Sequence, residues 1–181
     1  MRALIVSADD FEDTELLVPL YRLREEGISA DVASPRTGSI TGKHGYSQSV
    51  DRTLTEVDPR DYDLLVLPGG RAPAALRDDA ALQGIVRAFD AANKPIAAIC
   101  HGPQILVSAG VMDGRQATCY KSVAAELRDA GARYVDDEVV VDRNLVTSRQ
   151  PSDLPAFSRE IMKQLRAREA SAPARLFDES Q

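Results

Sequence analysis

Pro95-Ile96-Ala97-Ala98-Ile99-Cys100-His101-Gly102-Pro103 is the stretch whose reading decides the fold, because an apolar strand runs straight into a cysteine and the cysteine into a helix. The apolar residues after Pro95 have the length and composition of a parallel strand buried on both faces. Gln104 to Ala109 then reads as a short helix stopped by Gly110. A side chain on such a turn is pushed clear of the sheet, and the free N–H groups of the helix's first turn favour negative charge beside it. For Cys100 this predicts a lowered thiol pKa and more of the reactive thiolate. Gly102 lets the turn pack closely. The competing reading is a small buried cysteine closing a core strand.

Working outward, strands and helices alternate, the pattern of a parallel sheet covered on both faces. Ala3 to Ser7 form the first strand. Asp13 to Glu26 place Leu16, Leu20 and Leu23 on one helical face, with Gly27 as the stop and an expected kink at Pro19. Ile28 to Ser34 make the second strand, followed by a hairpin-like excursion over residues 38–46. Asp63 to Leu67 form the third core strand, ending in Pro68-Gly69-Gly70, and a helix over residues 79–92 leads to the Cys100 strand. Val123 to Asp129 read as helix, residues 139–147 as a hairpin turning at Asp142 to Asn144, and residues 152–168 as the last helix. This gives a single domain over residues 1–168. From Glu169 on, alanine, serine, proline and charge lack periodicity, which predicts a loose tail over residues 169–181.

Composition bounds the function. With 181 residues, 44% hydrophobic and 28% charged, the chain can bury one good core. A net charge of −6 argues against a nucleic-acid backbone or an anionic membrane as the main partner. No apolar run approaches the roughly 20 residues that span a bilayer, and the start enters a strand, so a cytoplasmic location is expected. Cys100 and Cys119 make no disulfide framework; an intracellular cysteine beside a histidine is a candidate nucleophile. His44 and His101 are too few for a zinc site.

Open parallel sheets bind ligands outside the carboxyl ends of their strands. There the sequence sets Asp9-Asp10-Phe11-Glu12-Asp13, Gly69-Gly70, Cys100-His101 and Ser148-Arg149. Glu12 has two readings: a buried acid sharing a proton with the Cys100 thiol, or an acid complementing a helix dipole. Gly69 and Gly70 can bring N–H groups near the thiol, forming an oxyanion hole with the N–H of His101, or simply make a turn. Arg149 either binds a substrate carboxylate or phosphate, or makes surface ion pairs. With strand one beside the Cys100 strand, Glu12 and Cys100 would meet.

Taken together, Ala98-Ile99-Cys100-His101-Gly102-Pro103, Phe11-Glu12-Asp13, Leu67-Pro68-Gly69-Gly70-Arg71-Ala72-Pro73 and Thr41-Gly42-Lys43-His44-Gly45-Tyr46-Ser47 closely resemble the PfpI family of intracellular cysteine peptidases. That family lies within the superfamily of the parkinsonism-associated deglycase, related to class I glutamine amidotransferases. The resemblance covers residues 2 to 166. It implies a flavodoxin-like α/β/α sandwich, a nucleophile at Cys100, a facing carboxylate at Glu12 and an oxyanion hole from Gly70 and His101. It further implies Tyr120 lining the site, homodimers that sometimes stack into hexamers, and no metal or organic cofactor. His44 and Tyr46 fall at an oligomer contact or the pocket mouth, and Cys119 is a structural or a resolving thiol.

One departure matters: peptidase-type members carry glutamate after Arg-Ala-Pro, where this chain has Ala74, leaving His101 without an orienting acid unless Asp78 or Asp79 substitutes. The leading expectation is therefore a stress-response enzyme acting on a small reactive aldehyde or a glycated protein, taking methylglyoxal to lactate without glutathione. It needs a thiolate, a proton shuttle in Glu12 and an oxyanion pocket. The alternatives are an intracellular cysteine peptidase, or an oxidant-sensing, chaperone-like protein in which Cys100 forms a stable sulfinic acid.

Overall fold

A computed structural model describes residues 1–172. In chain order the elements are β1 (Arg2–Val6), α1 (Asp13–Glu25), β2 (Ser29–Ser34), β3 (Ser39–Thr41), β4 (Ser47–Ser49), β5 (Arg52–Thr53), β6 (Leu64–Leu67), α2 (Ala72–Leu76) and α3 (Ala80–Ala91). There follow β7 (Ile96–Ile99), α4 (Pro103–Ala109), β8 (Gln116–Ala117), α5 (Ala124–Asp129), β9 (Arg133–Tyr134), β10 (Val140–Asp142), β11 (Leu145–Ser148) and α6 (Leu154–Ser171).

Seven strands form one sheet in the order β10-β11-β7-β6-β1-β2-β5, parallel except for the β10–β11 hairpin. The run β2-β1-β6-β7-β11 is the flavodoxin-like order. The chain leaves β1 towards β2, then crosses back over β1 to reach β6 and moves on to β7 and β11. Because crossovers are right-handed, this reversal sends α1 to one face and α3 to the other. Accordingly α1 packs with α6, and α4 with α2, α3 and α5. The residues of β6 and β7 are buried on both faces, as continuous apolar runs require.

The helices form where an apolar stripe meets a start signal. In α3, Leu82, Ile85, Val86 and Phe89 are buried, and the Asp79 side chain caps the first turn by accepting from the Leu82 N–H at 3.0 Å. Gly110, at φ 77°, ends α4 in the left-handed conformation expected of a helix stop.

Several expectations need correction. β6 lies between β1 and β7, so strand one does not neighbour the Cys100 strand. α1 ends at Glu25, one residue short of the predicted Glu26, with the buried Pro19 inside it. The excursion after β2 has its second arm at Ser47–Ser49, beyond the predicted stretch, and pairs Ile40 with Gln48. β5, α2 and the small parallel β8–β9 pair have too few residues for any periodicity to show. The last helix runs to Ser171, past the predicted end at Arg168; residues 173–181 of the expected tail lie outside the described residues. Among the described residues, no helix is long and apolar enough to cross a membrane.

Candidate active site

Cys100 sits one residue past β7 with φ 63°, a conformation that costs a non-glycine residue about 1–3 kcal/mol and persists only where the surroundings over-determine it. Here they do. The Cys100 N–H donates to the Ser148 carbonyl at 3.0 Å, and its carbonyl accepts from the Tyr120 N–H at 2.9 Å. The side chain is thereby thrown into a cavity of about 710 Å³ at the carboxyl ends of β1, β6 and β7. Its walls include Glu12, Glu15, Lys43, His44, Gly70, Arg71, Ala74, His101, Gln104 and Tyr120.

Glu15, on the first turn of α1, is the carboxyl group set beside the Cys100 thiol: its Oε2 and the Cys100 Cβ both close on Gly69, and the charge of each group acts on the other. It has no exposed surface, and its Oε2 accepts from the Gly69 N–H at 2.8 Å. This corrects the expectation for Glu12. Glu12 lines the same cavity but is held by Lys43 Nζ at 2.7 Å and lies 3.4 Å from His44 Nε2. The reason is helical geometry: residues three apart share a face, and the one inside the helix reaches across β6 while the one at its start meets the 42–46 turn. Gly69 is needed at this crossing, since a Cβ there would lie 2.5 Å from Glu15 Oε2 and 2.7 Å from Cys100 Cβ. Gly70, at φ 83°, lines the cavity beside Cys100, and its N–H favours the thiolate there. A Cβ on it would meet the Asp10 carbonyl and the Glu12 nitrogen at 2.4 Å. The N–H of His101 favours the thiolate as well.

Burial raises the Glu15 carboxyl to about 8, against the lesser pull of the Gly69 N–H. Burial, then the facing Glu15 carboxylate, push the Cys100 thiol up to about 12, against the Gly70 and His101 N–H groups. The sequence predicts a lowered thiol; burial and a like charge outweigh the helix start. The two groups resist ionising together, so both are protonated at neutral pH, and once one proton has left, the other is shared between thiol and carboxyl. The two N–H groups favour the thiolate member.

His101 Nδ1 lies 3.2 Å from Cys100 Sγ, a contact between consecutive side chains that the unusual Cys100 backbone allows. Burial, with the Lys43 charge, lowers the imidazole pKa and keeps it neutral. The ring stacks on Tyr120 at 5.2 Å between centroids, and Nε2 is 3.5 Å from Ser122 Oγ. Ala74 lines the cavity but offers His101 no acid.

Arg149 does not line the cavity. Its Nε donates to Asp153 at 2.9 Å and its Nη1 to Asp136 at 3.0 Å, which raises its pKa and commits the guanidinium to pairs. Substrate binding by Arg149 is therefore replaced by its other reading, ion pairing. Cys119 has no exposed surface, and burial pushes its thiol up to about 12. Tyr46 lies outside the cavity lining, its hydroxyl 3.3 Å from that of Tyr21, whereas His44 is at the cavity mouth. Potential metal ligands of Glu12, Asp13 and His44 gather within 4.8 Å. Those donors are already committed to the protein: the Asp13 oxygens accept from the His44 and Tyr46 N–H groups at 3.0 Å, and Glu12 is paired with Lys43.

The elbow, the buried glutamate and the glycine turn agree with relatedness across nearly the whole described chain. Residues 1–164 match the DJ-1/PfpI family. The chain belongs to that family. A relative named Deglycase PfpI, from Pyrococcus furiosus, is 51% identical over 166 residues, covering 92% of this chain and 100% of its own. Protein/nucleic acid deglycase 2 of Escherichia coli is 42% identical, covering 90% of this chain and 96% of its own. The crystal structure of Drosophila melanogaster DJ-1beta superposes with a TM-score of 0.84 at 32% identity, over 91% of this chain and 89% of that one. DJ-1/PfpI membership agrees with the resemblance that the motifs carry.

Glu15 is the residue that sequence reasoning missed. The signal was present: an acid one helical turn after Glu12, next to Leu16 of the buried stripe, stands where a solvated face would otherwise not put one. Lys43, which the sequence marks only as part of the Thr41–Ser47 motif, reaches the site through its pair with Glu12.

Proposed function

We propose that this DJ-1/PfpI protein is a cysteine-dependent deglycase and glutathione-independent glyoxalase, taking methylglyoxal or its early adducts on proteins to lactate. The observation that carries the reading is the buried Glu15 carboxyl set beside the Cys100 thiol at Gly69, each group keeping its own proton at neutral pH. With Nε2–H towards Ser122, the neutral His101 presents Nδ1 to the thiol as an acceptor. His101 takes the thiol proton as Sγ forms a bond to the aldehyde carbon and the carbonyl π bond breaks. The Gly70 and His101 N–H groups hold the developing oxyanion, worth about 2.7–4 kcal/mol per donor in comparable sites. Glu15, protonated because its pKa stands near 8, gives that oxygen a proton and completes the hemithioacetal.

The resulting Glu15 carboxylate removes the proton from the former aldehyde carbon. Its return to the neighbouring carbon, through an enediol, leaves a lactoyl thioester on Cys100. Water then cleaves the carbon–sulfur bond, releasing lactate and restoring the thiol. The sum is methylglyoxal plus water giving lactic acid, so no oxidant or reductant enters. Starting from an early hemiaminal adduct, the carbon–nitrogen bond breaks as the carbon–sulfur bond forms, the amine leaves with the proton that His101 took from the thiol, and the same hemithioacetal results.

Names of the related deglycases support this chemistry, and peptide hydrolysis fits the site less well because Ala74 stands where peptidase-type members carry glutamate. Purified protein is expected to convert methylglyoxal to lactate without glutathione, and Cys100→Ala to abolish conversion. Unchanged turnover in that variant would sink the proposal.

A further inference from the structure

The Cys100 cavity continues past Gly70. Asp10 and Arg71 line it and also line a second cavity of about 440 Å³ at the carboxyl ends of β1 and β2, so they form the wall between the two. Both are fixed at the backbone: Asp10 takes φ 64°, and its carbonyl accepts from the Arg71 N–H at 2.8 Å. Arg71 thus follows directly on Gly70, whose own N–H favours the Cys100 thiolate.

Arg71 differs from the other arginines of the described residues. Most of those pair with a carboxylate. Arg87 donates to a carbonyl, Arg24 and Arg128 lie over tyrosine rings, and Arg133 meets the Gln116 amide. The Arg71 guanidinium meets no such partner among the described residues, though the residue lines the reactive cavity and the second one beside it. Across the second cavity lie Arg36, 3.6 Å from Asp9, and the hydroxyl residues Thr37 and Ser39.

We propose that Arg71 anchors a second subsite, which takes the phosphate or carboxylate at the far end of a carbonyl substrate whose aldehyde is held at Cys100. The proposal rests on the reading of Cys100 given above. A guanidinium presents a planar fork that matches either anion with two parallel hydrogen bonds. Asp10, on the same wall, suits hydroxyl donors along the intervening carbons, and Thr37 and Ser39 supply further donors to the anion. The covalent step is the same reversible one: Sγ bonds to the aldehyde carbon, the π bond breaks, and the thiol proton passes to the oxygen.

The test is protection of Cys100 from iodoacetamide, which needs no turnover. Glyceraldehyde 3-phosphate is compared with glyceraldehyde, and succinic semialdehyde with butanal. In the wild type the charged aldehyde of a pair is expected to protect at about tenfold lower concentration than its uncharged counterpart. In Arg71→Gln that ratio falls to about one, and in Arg71→Lys it is intermediate, because a point charge replaces the fork. Whichever pair shows the larger ratio identifies phosphate or carboxylate as the preferred group. A wild-type ratio of one, or a ratio unchanged in Arg71→Gln, overturns the subsite. If none of the aldehydes protects, the carbonyl reading of Cys100 fails. The subsite is then judged by inorganic phosphate alone: broadening of its ³¹P line by the wild type and not by Arg71→Gln sustains it, and no broadening by the wild type overturns it.

Discussion

Glu15 has no exposed surface, and the cost of burying its charge reaches both the chemistry and the stability of the protein. Its folded value, about 8, lies above the ordinary 4.5, so the native state binds the proton more tightly than the unfolded chain. The resulting stability is fully present below the unfolded value and is lost as pH rises through the folded one. Urea denaturation should therefore show stability falling between about pH 5 and pH 8, and Glu15→Gln should flatten that part of the profile. A slope of the same size in the variant would show that another group is responsible. In turnover, Glu15→Gln keeps a donor but cannot carry a proton, so a loss of about 10²–10⁴-fold is expected. Glu12→Gln releases Lys43 and should cost far less; the reverse order would return the shuttle to Glu12.

One buried arginine ties the β10–β11 hairpin, already paired to β7 through β11, to β8 and α3. Arg115 donates to Asp90 at 3.0 Å, to Asp142 at 3.2 Å and to Asn144 Oδ1 at 2.9 Å. β11 in turn supplies the Ser148 carbonyl that holds the Cys100 N–H, so this fastening bears on the elbow. Removing the guanidinium leaves Asp90 and Asp142 facing each other across the vacated space. Arg115→Ala is expected to destabilise by about 3 kcal/mol, the lower end for a broken buried pair, because both acids keep some solvent access. Chemical denaturation at neutral pH measures this, and a change under 1 kcal/mol would mean that water replaces the arginine at little cost.

Across the whole molecule, apolar residues from every major strand and helix join in one continuous core, from Ala3 in β1 to Leu165 in α6. No unit can leave without stripping β1, β6 or β7 of the helices on one face. Far-UV circular dichroism and tyrosine fluorescence should consequently report coincident urea transitions; separate midpoints would divide the chain into independent units. The sequence by itself determined the alternation of elements, the buried runs of β6 and β7 and the elbow at Cys100, because these depend on local periodicity and on glycine and proline signals. Family membership was legible too, carried by motifs at those same corners. Only the tertiary structure decided that Glu15 and not Glu12 faces the thiol, that the thiol pKa rises, and that Arg149 is committed to Asp136 and Asp153. Each depends on distances of a few ångströms between segments far apart in the chain, and on burial that follows once β6 is threaded between β1 and β7.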